Sequence, residues 1–313
     1  MNPSIRTTLL FALCCWIWGS TWLAIRFGLE GVPPFVGAGL RMALAGVFLV
    51  GVAVVARTTW PRSKTYLAYV IAQGASMFGI QYALVYWAEQ TVPSGLVAVL
   101  FAVNPLLTSL VAALIFRIET FAPINVLGLI AGFCGVALIF WSEVVTAAHA
   151  PAAGALAVLA ASGIAAIATV VAKRYAHDLP PLAIVGPGQV VGGLVLAILA
   201  FLTERGDAIH FTIVSTIAFL YLTVFGSAIA FLSYFALVRT MSVTKLSLLT
   251  YITPVIAVLL GYFVAHEQLA PTTIVGAAIV FAGIGLVHVK ARDKAHAAPI
   301  STDLHPNNAV IDD

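Results

Sequence analysis

The chain has 313 residues, of which 62% are hydrophobic and only 9% are charged. Soluble domains carry about 25% charged residues, so this composition excludes a soluble globular protein. The net charge of +3 is too small and too scattered for a nucleic-acid-binding surface. The composition predicts a polytopic, all-α integral membrane protein that is surrounded by the lipid bilayer.

Ten apolar stretches, separated by turn and charge clusters, predict ten transmembrane helices. They cover residues 7–28, 34–56, 66–88, 93–116, 122–141, 152–172, 181–203, 212–237, 243–264 and 271–289. A β-barrel would instead show alternating segments of about ten residues. The first stretch follows Arg6, as a signal peptide would, but it continues to Leu29 and is long enough to span a membrane.

The positions of the positive charges predict the orientation. If both termini are cytoplasmic, only Arg26 and Arg205 of the 15 Lys and Arg residues lie in outer loops, and only Arg41 lies within a span. All the others fall on the inside, as the positive-inside rule requires. We therefore expect a multi-pass protein of a bacterial cytoplasmic membrane with both ends inside. Residues 290–313 lack apolar periodicity and are expected to form a disordered cytoplasmic tail.

The two halves of the sequence match at a nearly constant offset. The matching pairs are Pro33 with Pro180, Gly46 with Gly193, Pro105 with Pro254, Glu119 with Glu267, and Gly128 with Gly276. Because each repeat has an odd number of five predicted spans, the second copy must enter the membrane from the opposite side. Such inverted repeats are typical of secondary transporters, which place their site between the repeats. We expect two repeats, residues 7–145 and 150–289, around a central cavity.

Short motifs occur in a fixed order along both halves. They are Trp18-Gly-Ser-Thr-Trp22, Leu40-Arg41-Met-Ala-Leu-Ala-Gly46, Asn104-Pro105-Leu106, Tyr251-Ile-Thr-Pro254 and Glu267-Gln-Leu-Ala-Pro271. In this order they resemble the EamA-type transporters of the drug/metabolite transporter superfamily, over about residues 7–289. The resemblance implies ten helices around a central cavity and the export of small metabolites or amino acids. It implies no cofactor and does not fix the substrate.

Pro105 and Pro254 lie near the middle of the fourth and ninth predicted spans. A proline has no N–H, so the carbonyls of Phe101 and Thr250, four residues earlier, lose their helical partners. Within a membrane, free carbonyls are tolerated only against protein or a wet cavity. We therefore expect these kinks to line the transport pathway; a purely structural kink is the alternative. The polar residues expected to supply hydrogen bonds there are Asn104, Thr108 and Thr253.

Arg41 is the only charged residue well inside a predicted span. A central arginine costs at least about 2.5–3.5 kcal/mol to insert, so it needs a partner or access to water. It would either bind a substrate carboxylate or extend its side chain to the outer membrane surface.

Aromatic residues and amides are the remaining candidates for substrate contacts. Residues four apart share a helical face, and this spacing relates Trp18 to Trp22 and Phe78 to Tyr82 and then Tyr86. These stripes would form an aromatic cavity, or they would be core packing and, for Tyr86 and Trp87, the interfacial belt. The buried amides considered as polar contacts are Gln73, Gln81 and Gln189.

The sequence also weighs against an intramembrane enzyme and against proton coupling. An intramembrane enzyme would need an acid/base pair or metal ligands, and His266-Glu267 lacks the second histidine of a zinc motif. Proton coupling is not supported by the sequence, although Glu89, His266 and Glu267 leave it open. We expect a carrier that functions as a monomer and exports small metabolites, with aromatic or hydrophobic amino acids favoured. Nucleosides, sugars, nucleotide sugars and cationic drugs are the alternative substrates, and a channel is the alternative mechanism.

Overall fold

The computed structural model describes residues 2–28, 31–120, 123–146, 151–176, 178–206, 208–265 and 270–297. This described part is all-helical, without a β-strand. Its α-helices are α1 (Pro3–Gly28), α2 (Pro34–Val55), α3 (Lys64–Gln73), α4 (Gln81–Glu89), α5 (Ser94–Phe101), α6 (Asn104–Leu110), α7 (Pro123–Ile139), α8 (Trp141–Thr146), α9 (Ala152–Tyr175), α10 (Pro181–Thr203), α11 (Ile213–Tyr221), α12 (Ala230–Thr240), α13 (Val243–Ser247), α14 (Leu249–Ala265) and α15 (Pro271–Ala297). Three π-helical segments, π1 (Gly74–Ile80), π2 (Val111–Ile115) and π3 (Leu222–Ile229), continue α3, α6 and α11.

Eight helical stretches in the described part are long and apolar enough to cross a membrane. They are Pro34–Val55, Lys64–Glu89, Ser94–Ile115, Ala152–Tyr175, Pro181–Thr203, Ile213–Thr240, Val243–Phe263 and Pro271–His288. The helices α1 and α7 lie at the first and fifth predicted spans, and α7 is apolar but shorter than the eight. The protein is thus a multi-pass membrane protein, and the count of ten crossings stays a prediction.

The outer surface of these helices is apolar, as contact with lipid requires. On α2, for example, Val47 is 62% exposed and Phe48 is 58% exposed, whereas Met42 and Ala45 on the opposite face are buried. A soluble protein rarely exposes large apolar patches of this kind. The buried faces point towards the interior of the helix bundle and form its core.

Two long helix pairs form the closest contacts of the bundle: α2 packs on α10, and α7 packs on α15. A Cβ atom added at Gly46 of α2 would lie 2.7 Å from the backbone nitrogen of Val190 on α10. A Cβ atom added at Gly128 of α7 would lie 2.7 Å from the carbonyl oxygen of Gly283 on α15. Glycine is therefore required at these positions because the two backbones touch, as is usual for closely packed membrane helices.

Several helix ends are held by carboxylates or hydroxyls from elsewhere in the chain. Glu204, at the end of α10, accepts hydrogen bonds from the backbone N–H groups of Phe35 and Val36 at 2.8 and 2.9 Å. The helix α11 begins with a capping box formed by Thr212 and Ser215. Such groups satisfy the free N–H donors of a first helical turn.

The tail after the last predicted span was expected to be disordered, and this stays a prediction. The last helix, α15, continues beyond the predicted span to Ala297. Residues 298–313 lie outside the described part of the chain.

Candidate functional site

A cavity of about 170 Å³ lies inside the helix bundle. It is bounded by residues from both halves of the sequence, which places it between the two predicted repeats. Its described lining residues are Trp18, Thr21, Ile25, Arg41, Met77, Gln81, Tyr82, Val85, Tyr86, Ala98, Phe101, Asn104, Ala165, Thr169, Phe231, Tyr234, Leu246, Ser247, Leu249, Thr250, Thr253 and Pro254. Among these residues, Arg41 carries the one permanent charge, and there is no Asp or Glu.

The side chain of Arg41 lies in the wall of this cavity. It is only 2% exposed, so it does not reach the outer surface, and that alternative is wrong. Its Nε donates to the hydroxyl of Ser227 at 2.7 Å, and its Nη1 donates to the hydroxyl of Tyr86 at 3.2 Å. Within the described part of the chain it has no carboxylate partner. A buried cation that has only neutral partners is well suited to bind an anionic group.

Aromatic rings form the wall next to Arg41. The ring of Trp18 lies 5.2 Å from that of Phe231 and 5.3 Å from that of Tyr234. The guanidinium of Arg41 lies 5.6 Å from the centre of the Tyr82 ring, within cation–π distance. The indole N–H of Trp18 donates to the Gly226 carbonyl at 3.3 Å, which fixes the ring. The cavity therefore joins one cationic group to a rigid aromatic surface.

Tyr86 belongs to this wall and not to an interfacial belt. It is 4% exposed, whereas its neighbour Trp87 is 45% exposed and faces outwards. The two aromatic residues that were considered together thus have different environments, because adjacent residues of a helix point about 100° apart.

The π-helical segments contribute directly to the site. Met77 of π1 lines the cavity, and Ser227 of π3 holds Arg41. A π-helix replaces the regular i→i+4 hydrogen bonds by i→i+5 bonds, and such segments are frequent at functional sites. π1 and π3 occur at matching positions of the two halves, whereas the position that matches π2 lies in the α-helix α14. The sequence did not predict these segments.

The two proline sites differ in structure. Before Pro105 the helix breaks between Phe101 and Asn104, whereas Pro254 lies inside the continuous helix α14. In the first half, the side chain of Asn104 donates to the carbonyl of Ser162 at 3.0 Å. Phe101 and Asn104 in the first half and Thr250, Thr253 and Pro254 in the second half line the cavity.

Most predicted site residues line the cavity; their role in binding stays a prediction. The predicted residues on the cavity wall are Trp18, Arg41, Gln81, Tyr82, Phe101, Asn104, Thr250, Thr253 and Pro254. The side chain of Trp22 lies outside the described residues. Glu89 is not on the wall, although one of its carboxylate oxygens is buried without a described hydrogen-bond partner. His266 and Glu267 lie outside the described part.

Three predicted contact residues lie outside the described cavity wall, and their contact with substrate stays a prediction. Phe78 is fully buried because Gly188 and Gly192 of α10 leave room for its ring. Thr108 is also fully buried and donates to the side-chain oxygen of Asn104 at 3.3 Å. Gln189 is buried and donates to the Ser227 carbonyl at 2.9 Å. Pro105, predicted as a kink that lines the pathway, is likewise outside the described wall.

Other wall residues were missed by the sequence analysis. Thr169 and Tyr234 line the cavity and share a 2.6 Å hydrogen bond between their hydroxyl groups. Thr169 lies seven residues after Ser162, so these two polar residues share a face of the otherwise apolar helix α9. Tyr234 follows Phe231 by three residues, so the two rings lie on one side of α12. These spacings are visible in the sequence, whereas the hydrogen bond between the two spans is not.

Hydrogen bonds from the first half of the chain hold the start of α13, which carries the cavity residues Leu246 and Ser247. The carboxylate of Glu119 accepts hydrogen bonds from the backbone N–H groups of Val243 and Thr244 at 2.5 and 3.3 Å. The hydroxyls of Ser109 and Thr244 lie 2.9 Å apart. These bonds join the loop after π2 and the helix α6 to the start of α13.

The fold and this site define a class: multi-pass helical membrane proteins with one polar and aromatic cavity enclosed by the bundle. Comparison with known proteins identifies the family. The model of the EamA-like transporter family matches residues 5–141 and again residues 152–289. The chain belongs to this family, and it is a membrane transporter.

Individual relatives agree with this assignment. The chain is 28% identical over 302 residues to an uncharacterized transporter, YvbV, of Bacillus subtilis, covering 95% of this chain and 96% of the relative. It is 29% identical to the protein PagO of Salmonella typhimurium, covering 83% and 85%. It is 31% identical to an uncharacterized inner membrane transporter, YedA, of Escherichia coli K12, covering 83% of each. A solved crystal structure shares the fold with a TM-score of 0.76 at 20% identity, covering 92% of this chain and 98% of that one.

Proposed function

We propose that this transporter is a secondary carrier that exports small amino acid-like metabolites, with aromatic and hydrophobic amino acids favoured. The observation that carries the proposal is the environment of Arg41. Its guanidinium lies in the cavity wall and is held by the hydroxyls of Ser227 and Tyr86. A substrate carboxylate would complete this site, because a buried guanidinium gains most from an anionic partner.

The aromatic wall supports an apolar substrate side chain. Trp18, Tyr82, Phe231 and Tyr234 present rings to the cavity, and aromatic pairs contribute about 0.5–1.5 kcal/mol beyond the area that they bury. A substrate with a carboxylate at one end and an apolar group at the other end fits this distribution of groups.

Two features of the cavity, its size and its charge, disfavour nucleotide sugars and cationic drugs as substrates. Pockets for drug-sized ligands measure about 300–1,000 Å³, so a cavity of about 170 Å³ favours a small metabolite over a nucleotide sugar. Nucleotide sugars and cationic drugs also fit the charge poorly: a diphosphate calls for several cations, and a cationic drug would be repelled by Arg41.

Alternating access is the mechanism that we propose. Helix contacts support it, because α2 pairs with α10 and α7 pairs with α15, and each pair joins helices at matching positions of the two sequence halves. Such pairs can rock against each other around a central site. We also propose that the protein lies in a bacterial inner membrane with both termini cytoplasmic and acts as a monomer.

Counterflow in proteoliposomes tests the function. Vesicles loaded with an unlabelled amino acid are diluted into the labelled amino acid, with and without a pH gradient. The proposal expects saturable uptake that needs substrate on the trans side, with phenylalanine, tyrosine, tryptophan or leucine preferred. Non-saturating uptake would indicate a channel. No uptake of any amino acid by folded protein would reject this substrate class.

A further inference from the structure

The cavity offers a distinct acceptor site for a positively charged group. A proline removes the N–H that would bond the carbonyl four residues earlier, so Pro105 frees the Phe101 carbonyl and Pro254 frees the Thr250 carbonyl. These two carbonyls differ in their hydrogen bonding to side chains. The hydroxyl of Ser162 donates to the Phe101 carbonyl at 3.3 Å, whereas no side chain in the described part of the chain donates to the Thr250 carbonyl.

The sequence explains this asymmetry. At the offset that relates Gly46 to Gly193, the counterpart of Ser162 in the first half is Cys15. A thiol is a much weaker hydrogen-bond donor than a hydroxyl. The second half therefore lacks the hydroxyl that occupies the freed carbonyl in the first half.

The turn of α14 that carries the freed carbonyl borders the cavity. Thr250, Thr253 and Pro254 all line the cavity, and the carbonyl of Thr250 belongs to this turn. The hydroxyls of Thr250 and Thr253 make no hydrogen bond in the described part of the chain either. One turn of α14 thus presents neutral oxygen acceptors to a cavity whose described wall has no carboxylate.

We infer that this turn, centred on the Thr250 carbonyl and the Thr253 hydroxyl, binds the ammonium group of the substrate while Arg41 binds its carboxylate. The inference rests on the proposed function and narrows it to substrates that carry both groups. Freed helical carbonyls bind cations in other transporters with broken membrane helices. Arg41, on a different helix, repels an ammonium group and attracts a carboxylate, so the two sites orient an amino acid in one direction.

Binding to the purified, detergent-solubilised protein tests this inference with three probes. L-phenylalanine carries both charged groups, 3-phenylpropionate lacks the ammonium group, and 2-phenylethylamine lacks the carboxylate. Pro254→Ala restores an N–H at position 254, which occupies the Thr250 carbonyl. Because hydrogen bonds to charged groups are strong, we expect this variant to weaken phenylalanine binding about 10- to 100-fold. Its affinity for 3-phenylpropionate should change by less than about twofold.

Three further variants make the test independent of helix shape. Pro105→Ala is the matched control, because the carbonyl that it affects already has Ser162 as a donor; it should change the affinities for phenylalanine and 3-phenylpropionate by the same factor. Thr253→Val removes one acceptor without altering the backbone and should also weaken phenylalanine selectively. Thr223→Val is its control, because the Thr223 hydroxyl bonds the Phe219 carbonyl away from the cavity.

The outcomes separate the inference from the function on which it rests. Equal weakening of both probes by Pro254→Ala and by Thr253→Val would overturn the ammonium site and leave amino acid transport standing. If 3-phenylpropionate binds wild-type protein as tightly as phenylalanine does, the ammonium site is also overturned. If no probe binds folded wild-type protein, the proposed substrate class fails and the ammonium site fails with it.

Discussion

The Nε atom of Arg41 on α2 donates to the hydroxyl of Ser227 in π3 at 2.7 Å. This bond joins a helix of the first half of the sequence to a helix of the second half, and both ends of it are buried. The carbonyl of Ser227 also accepts a hydrogen bond from Gln189 on α10. Ser227 therefore links Arg41 on α2 to Gln189 on α10. Arg41 is the only cation that the described cavity wall contains.

Ser227→Ala should impair both folding stability and carboxylate binding. The change leaves the buried Nε of Arg41 without its acceptor, which costs about 1–3 kcal/mol. We expect a lower melting temperature and weaker binding of L-phenylalanine, whereas 2-phenylethylamine, which has no carboxylate, should bind as before. Thermal melts and binding titrations measure both effects. Ser233→Ala, a buried serine that does not line the cavity, is the control, and an equal loss in both variants would contradict the positioning role.

Gly46→Ala should separate α2 from α10. The added Cβ would lie 2.7 Å from the Val190 nitrogen and 2.8 Å from the Gly186 oxygen, and backbone atoms cannot move aside independently. Overpacking of this kind costs about 1–3 kcal/mol, so the melting temperature and the counterflow rate should both fall.

Gly51→Ala on the same helix is the matched control for this substitution. A Cβ at Gly51 would meet nothing within 4 Å. Alanine favours the helix over glycine by about 0.5–1 kcal/mol, so this variant should melt at the same temperature or slightly higher. Equal melting temperatures for the two variants would show that α2 and α10 do not pack as closely as described.

Glu119→Ala should loosen the start of α13. The variant removes the acceptor for the N–H groups of Val243 and Thr244, and loss of a helix cap costs about 0.5–2 kcal/mol. We expect faster amide hydrogen exchange across α13, measured by mass spectrometry, together with altered counterflow because α13 carries two residues of the cavity wall.

Glu204→Ala provides the comparison, since Glu204 caps α2 by the same kind of bond. It should speed exchange at the start of α2 and leave α13 unchanged. Unaltered exchange at α13 in Glu119→Ala would contradict the role of Glu119 in capping this helix.

The helices and much of the cavity wall were predicted from the sequence. Each long apolar run indicates a membrane helix by itself, without reference to the other runs. Trp18, Arg41 and Asn104 were identified since each is an unusual residue within an apolar span. The family could be proposed from the order of the motifs in both halves.

The sequence could not predict which residues of one helical face reach the cavity, because that depends on the neighbouring helices. Phe78 and Tyr82 are four residues apart and were expected to share a face, and both rings lie near the ring of Phe231, at 4.8 and 6.4 Å. Tyr82 lines the cavity, whereas Phe78 is fully buried against Gly188 and Gly192 of the facing helix. Thr169 and Tyr234 were missed because their significance depends on a hydrogen bond between two spans.

The role of Arg41 is tested most directly by counterflow of labelled L-phenylalanine by wild-type protein and by Arg41→Gln, reconstituted in parallel. Arg62→Gln, which changes an exposed arginine before α3, controls for the loss of a positive charge. We predict saturable counterflow by wild-type protein and Arg62→Gln, and a reduction of at least about tenfold in Arg41→Gln. Equal counterflow by all three folded proteins would contradict the claim that Arg41 binds the substrate carboxylate.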